Sequence, residues 1–246
     1  MTSSLFNSVA GSYATTRPTY PAAVYDAISA AVGRPYRQLL VLDVGAGTGI
    51  ATEAMVRHGA TVIAIDPARE MLARVAEALP GTETIYGNGN ALPIEDAVAD
   101  LVTYAQALHW TLPEKSVPEA LRVLRPDGVV AAWWNVPDFE VVWVAEQAER
   151  LRQSAPTYHG FSGIDIGPRL AQPPFNLRTE HHLFGWSREV TIQQHVAMLA
   201  TQSYMAALEP GPRATFLDDE ARHLERVFPS GMVDEYYVTK LTIARR

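Results

Sequence analysis

Val41-Leu-Asp-Val-Gly45-Ala-Gly47-Thr-Gly49 is a short apolar run that ends in three alternating glycines and leads into a helical pattern. These residue types read as a buried strand, a tight turn and a helix N-terminus. Glycines in such a turn let the backbone approach a ligand closely, and the first N–H groups of the helix are left without intrahelical partners. The spacing is G-x-G-x-G. In the dinucleotide fingerprint G-x-G-x-x-G the third glycine would fall at position 50, which is Ile50. A second strand-like run, residues 61–65, closes with Asp66-Pro67. A carboxylate at the end of that strand, about one β-α-β unit after the glycine turn, is placed to accept both hydroxyls of a ribose.

Working outward, two more apolar runs (100–105 and 128–134) alternate with segments of 3.6-residue apolar spacing (67–79 and 117–124). Continuous apolar strands separated by helices predict a parallel sheet covered on both faces, an α/β doubly wound fold. Beyond Asn135 a helix is expected over 139–153, then a Pro/Gly-rich stretch over 156–174 that reads as an insertion or lid. A strand pattern returns at 179–185, helices follow over 192–208 and 215–227, and residues 236–244 alternate as a terminal strand. No internal repeat or low-complexity segment interrupts the pattern. The expected division is N-terminal lid helices (1–35), a core that binds the ligand (36–135), a cap and substrate region with the sixth strand (136–230), and a terminal strand (231–246).

A chain of 246 residues can bury a sizeable core without covalent staples, and 48% hydrophobic with 19% charged residues is ordinary globular composition. The net charge is −7, and Lys115 and Lys240 are the only lysines. That balance disfavours polyanionic partners, whose affinity comes largely from surplus basic residues, so no nucleic-acid partner is expected. The absence of cysteine excludes disulfides, thiolate zinc sites and cysteine nucleophiles. The start lacks the basic region and apolar run of a signal peptide. The longest strongly apolar run, Val129 to Trp134, falls far short of the ~20 residues that span a bilayer. A cytoplasmic protein without membrane association, a monomer or homodimer, is the expectation.

The glycine turn and Asp66 together resemble the class I S-adenosylmethionine-dependent methyltransferases, in particular the UbiE-like and methyltransferase-type-11 small-molecule group. The resemblance runs from Phe6 to about Trp134. Gly87-Asn-Gly89-Asn-Ala-Leu-Pro93 is similar to the family's G-D-A-x-x-L-P loop beside adenine, with Asn88 where aspartate is usual. Asp96-Ala-Val-Ala-Asp100 resembles the approach to the fourth strand, and Ala105-Gln-Ala-Leu-His-Trp110 the loop after it. Glu119-Ala-Leu-Arg-Val-Leu-Arg-Pro126-Asp-Gly128 resembles the R-V-L-R-P-G-G turn, with Asp127 replacing a common glycine. The resemblance implies a Rossmann-like, mostly parallel seven-stranded sheet with an antiparallel terminal strand and a helical cap, and S-adenosyl-L-methionine as cofactor.

Residue by residue, it implies that Asp43 orients the turn and the cofactor's amino group, and that Gly45, Ala46 and Gly47 lie along its methionine portion. Asp66, followed by Pro67, would hold the ribose. Met71 would pack on adenine, although it reads equally as helix core. Asn88, Gly89 and Asn90 would read the adenine edge, and an asparagine can still accept from the adenine amino group through its carbonyl oxygen. Gln106 would lie near the sulfonium. The N-terminal Phe6 to Pro21 stretch resembles a segment that folds over the cofactor, with Tyr13 closing the pocket and Arg17 pairing with the methionine carboxylate.

Methyl transfer from a sulfonium needs alignment and desolvation above all, and proximity alone is worth ~7–11 kcal/mol. A hydroxyl or acidic N–H acceptor would gain from a base, and His109 is the candidate. Trp110 and Tyr20 are expected at the substrate, Trp110 as an apolar wall able to make cation–π contact. No metal is expected: His181-His182 has no recognisable ligand spacing, and no carboxylate cluster stands near the methyl position. Gly160-Phe-Ser-Gly163-Ile164 is not a nucleophile elbow, since position 164 is not glycine. The N/D-P-P-Y motif of nucleic-acid amino methyltransferases is replaced by Ala-Gln-Ala-Leu-His-Trp, which favours a small organic methyl acceptor. A non-catalytic binder of the same cofactor is the alternative, and a nicotinamide oxidoreductase is weakened by Ile50.

Overall fold

The computed structural model describes residues 17–160 and 166–246. Its centre is a seven-stranded sheet in the order β3-β2-β1-β4-β5-β7-β6. The strands are β1 (Leu40–Val44), β2 (Thr61–Asp66), β3 (Glu83–Tyr86), β4 (Ala99–Ala105), β5 (Leu124–Pro137), β6 (Arg178–Thr191) and β7 (Met232–Arg245). Strands β1 to β5 pair in parallel, while β7 runs antiparallel to both β5 and β6. The helices among the described residues are α1 (Ala22–Val32), α2 (Ile50–Arg57), α3 (Arg69–Ala78), α4 (Pro113–Val123), α5 (Val142–Ser154), α6 (Gly167–Leu170), α7 (Ile192–Ala200), α8 (Ser203–Ala206) and α9 (Pro210–Val227). None is long and apolar enough to cross a membrane.

The alternation of side chains along a strand explains why the central runs are apolar throughout. Val41, Leu101 and Trp133 point to one face, where α1 and Met55 cover them. Leu42, Val102 and Trp134 point to the other, beneath Val117, Ala120 and Val123 of α4. Both tryptophans are fully buried on opposite faces of β5. At one end of the sheet, buried Asp100 accepts from the Leu40 N–H (2.8 Å) and from Arg34 and Arg125, which ties β1 to β4.

Several expected boundaries move. The terminal strand is long, 232–245, and β6 extends to Thr191 as its partner. The single helix expected over 192–208 is two, α7 and α8, and α9 begins at Pro210, a residue suited to a first helical turn because its missing N–H would have no partner there. Helix α1 is not a lid: Val24, Tyr25 and Ile28 are buried in the sheet's core. The start of the expected 1–35 segment, Tyr13 included, lies outside the described residues, as do residues 161–165.

Candidate active site

The carboxyl ends of β1 and β4 flank the point where the strand order reverses, which is where open α/β sheets hold ligands. The glycine turn follows β1. Gly45, Gly47 and Gly49 have φ of +73°, +56° and +90°, the left-handed region that favours glycine. Gly45 is fixed twice over, because a Cβ there would stand 2.5 Å from the Ala107 Cβ in the loop after β4. Above Gly47 the space is open, and nothing lies within 4 Å of where a Cβ would be. That is a cradle that a ligand can fill.

Asp66 organises the cradle. One oxygen accepts from the Gly47 N–H at 2.9 Å and the other from the Ala68 N–H at 2.8 Å. Each carboxylate oxygen retains acceptor capacity for a hydroxyl. Burial raises the Asp66 pKa, against the lowering effect of the two N–H groups. Asp43 sits deeper, fully buried, with its oxygens bound by the hydroxyls of Thr52 (2.6 Å) and Thr103 (2.9 Å). Burial pushes its pKa up to about 6. Both oxygens face inward, so this residue locks β1 to α2 and β4. Met71 is buried against Ala68 at the start of α3. Pro67 follows Asp66 directly and is exposed.

The loop after β3 is tied from below. The Glu119 carboxylate accepts from the Leu92 N–H (2.8 Å), while Arg122 donates to the carbonyls of Leu92 and Ile94. These bonds give the R-V-L-R match a physical role: α4 holds the segment that carries Asn88, Gly89 and Asn90 beside the cradle. Within it the Asn88 Oδ1 accepts from the Asn90 N–H (2.9 Å), and the Asn90 Oδ1 from the Leu112 N–H (2.8 Å). Asn88 therefore commits one lone pair of its side-chain oxygen to its own turn and keeps the other. Ala46 holds the glycine turn through its N–H to the Ile65 carbonyl.

Beyond β4 the loop opens onto a cleft of about 190 Å³ between the sheet and the cap helices α5 and α7. Gln106 lines it in a left-handed conformation (φ +56°), its side-chain nitrogen 3.4 Å from the Asn135 carbonyl. A non-glycine residue with such a φ is uncommon and persists where its surroundings over-determine it. His109 and Trp110 also line the cleft, with rings 4.9 Å apart. Tyr20 instead packs edge-on against Trp133 at 5.6 Å, as part of the core. Arg17 lines the cleft and donates to the Thr201 carbonyl (3.0 Å) and to Gln202, joining the N-terminal segment to the cap.

His109 has a particular electronic state. Its Nδ1 lies 3.0 Å from the Trp134 Nε1. An indole N–H only donates, so Nδ1 is the acceptor and the ring proton sits on Nε2. Burial pushes the pKa down to about 4. At neutral pH the ring presents an N–H, and its lone pair is engaged by Trp134. That geometry does not suit the general base expected of it.

The cleft's far wall was not foreseen. Gln147 of α5, His195 of α7 and Glu235 of β7 are buried there in one hydrogen-bonded chain with Glu220 of α9. The available signal was periodicity: His195 falls on the inward row of Ile192, Met198 and Leu199, and Glu235 on the inward row of Val233 and Tyr237. A polar residue on an inward row needs a partner. Among the described residues no group of three or more His, Asp or Glu could hold a metal ion.

A methyltransferase domain family matches residues 42–132, from β1 through most of β5. An uncharacterised methyltransferase of Mycobacterium tuberculosis is 34% identical over 225 residues, 92% of this chain and 87% of that protein. An uncharacterised methyltransferase-like protein of Schizosaccharomyces pombe is 27% identical over 241 residues, 95% and 92% of the two chains. A solved structure from Anaeromyxobacter dehalogenans, described as of a type II methyltransferase, superposes with a TM-score of 0.69 at 22% identity, covering 93% of this chain and 96% of that one. At that identity the likeness speaks for the fold.

Proposed function

Because the chain belongs to the class I S-adenosylmethionine-dependent methyltransferases, we propose that it methylates a small organic acceptor bound in the cleft beyond Gln106. The observation that carries this reading is the adjacency of two spaces at the sheet's carboxyl edge. One is the open cradle at Gly47 and Asp66, and the other is the aromatic cleft lined by Gln106 and His109, whose loop abuts the glycine turn where Ala107 meets Gly45.

The residues present fit the cofactor. Asp66 has acceptor capacity for a diol, the glycine turn leaves room for an extended ligand, and buried Met71 stands behind the Asp66 turn. When bound, S-adenosylmethionine supplies an electrophilic methyl group on a sulfonium. The chain's own part is to bind, align and exclude water. Asp66, Gly45, Ala46 and Gly47 hold one reactant, with Asn88, Gly89 and Asn90 at its far end. Gln106, on the loop that abuts the glycine turn, lines the cleft, and the cap walls in the other reactant. His109 serves as an oriented Nε2–H donor at that boundary, and Trp110 as an apolar wall.

An acceptor of modest size is favoured by a cleft of about 190 Å³ and by a net charge of −7, which opposes a polyanion. The test is transfer of isotopically labelled methyl from S-adenosylmethionine into a library of small hydroxyl, amine and carboxylate compounds, with bulk tRNA as a comparison. Label in one small-molecule class is the expected result. Label in tRNA alone would overturn the acceptor class, and binding of the cofactor with no transfer to any compound would favour a non-catalytic binder.

The electronic state of His109 gives a separate expectation. In His109→Gln, kcat should fall less than about tenfold, with the shape of the pH–rate profile between pH 6 and 9 unchanged. A general base would cost ~10²- to 10⁴-fold and remove an inflection. Such a loss would reinstate His109 as the base.

A further inference from the structure

The buried chain behind the cleft has its hydrogens assigned by charge. Arg150 donates from two nitrogens to both oxygens of Glu220, each at 2.8 Å. Burial would raise the Glu220 pKa, but the bonds from Arg150 and Gln147 and the Arg150 charge outweigh it, so the group is a carboxylate. Gln147 places its amide nitrogen 2.9 Å from Glu220 Oε1 and 2.8 Å from His195 Nε2. A carboxylate only accepts, so nitrogen and not oxygen must face Glu220, and the amide cannot be turned over without setting oxygen against oxygen.

The rest follows in sequence. The two amide hydrogens go to Glu220 and to His195 Nε2, which makes that ring nitrogen the acceptor. The His195 proton is then on Nδ1, 2.6 Å from Glu235 Oε1. Glu235 also takes Arg188 Nε at 2.6 Å and the Tyr237 hydroxyl at 3.0 Å. One valence in this chain is left over, the carbonyl oxygen of Gln147. No donor among the described residues reaches it, although the side chain is only 7% exposed and lines the cleft. An acceptor at the cleft wall, its amide held in place by both N–H groups and with no donor among the described residues, has the form of a recognition element.

We propose that the Gln147 Oε1 reads a hydrogen-bond donor on the methyl acceptor, so that the cleft selects hydroxyl- or N–H-bearing aromatic molecules over counterparts without the donor. The aromatic part rests on Trp143, Tyr158, Tyr204 and Tyr237, which share the lining with Gln147. The proposal depends on reading this cleft as the acceptor site.

The test uses the full chain and matched probes: p-cresol against 4-methylanisole, indole against 1-methylindole, and aniline against N,N-dimethylaniline, with affinities from ligand-observed NMR. The donor-bearing member of at least one pair is expected to bind about tenfold more tightly, since a bound ligand without the donor covers the Gln147 oxygen and leaves it unpaired. In Gln147→Met that ratio should collapse toward one through weaker binding of the donor-bearing member alone. A ratio near one in all three wild-type pairs, or one unchanged in Gln147→Met, overturns the proposal. The wild-type pairs decide the matter even if the variant fails to fold. S-adenosylhomocysteine titrated in parallel keeps the two readings apart. Its failure to bind would sink the methyltransferase reading, whereas flat ratios with that binding intact would sink only the role of Gln147.

Discussion

Asp66→Ala is expected to raise the dissociation constant for S-adenosylhomocysteine at least ~100-fold while leaving the protein folded. A hydrogen bond to a charged group is worth ~1.5–3 kcal/mol, and a ribose offers Asp66 two hydroxyls. At ~1.4 kcal/mol per tenfold, losing both exceeds two decades of affinity. The variant also removes the acceptor that aligns the Gly47 N–H, so the cradle loses its shape as well as its anchor. Stability should change little by comparison. Burial raises the Asp66 pKa, so the ionised side chain is a cost to the native state at neutral pH, and deleting it relieves that cost while water replaces it at the two N–H groups. Calorimetric titration with a melting curve on the same sample reads both quantities. An affinity within threefold of wild type would move the ribose site elsewhere.

The central sheet was legible because its rules are local. Strand β1 and its glycines could be read from three spaced residues, since a turn that needs left-handed backbone at alternate positions admits little else. Strands β4 and β5 are apolar throughout because helices cover both faces, and that leaves a continuous signal. Strand β3 left none: it has four residues at the sheet's edge with its ends exposed, so nothing in its composition separates it from a loop, and only the family resemblance supplied a seventh strand. The long β6–β7 ladder was underestimated for a similar reason. Along β6 partly buried positions alternate with exposed ones, and charged residues on an outer strand, which discourage edge pairing, dilute the hydrophobic pattern.

At the site, legibility followed sequence distance. Asp66 and the glycine turn belong to one β-α-β unit, so spacing alone relates them. The roles of Asn88 and His109 depend on partners that spacing does not reveal: the Asn90 N–H takes the Asn88 carbonyl, and Trp134, on β5, takes the His109 lone pair. Gln147, His195, Glu220 and Glu235 come from three helices and a strand spread over nearly ninety residues. Only the packing of α5, α7 and α9 onto β7 brings them together, and no motif encodes that.

Glu235→Ala is expected to lower stability by ~3–5 kcal/mol, the cost of removing the buried carboxylate that pairs with Arg188. Glu235 and His195 are almost completely buried, and the variant strands the His195 Nδ1–H and the Tyr237 hydroxyl without their acceptor. At ~2–4 °C per kcal/mol for a chain of this size, the melting temperature should fall by roughly 6–20 °C. The pH dependence has a definite sign. Burial raises the Glu235 pKa, but the hydrogen bond from His195 and the bond and charge of Arg188 outweigh it and hold the value below the ordinary one. Its stabilisation is therefore fully present above the unfolded-state value of ~4.3 and is lost as pH falls through the lower native one, so the wild-type advantage should be constant at neutral pH and shrink on strong acidification. A paired replacement separates one part of that loss: Glu235→Leu with His195→Leu removes the imidazole together with its acceptor, and should recover only the share that came from stranding the Nδ1–H, because the Tyr237 hydroxyl and one Gln147 N–H still lose their acceptors. A single variant within 2 °C of wild type would mean that water already reaches this wall. The Gln147 carbonyl would then be solvated, and selection of a donor on the acceptor would lose its physical basis.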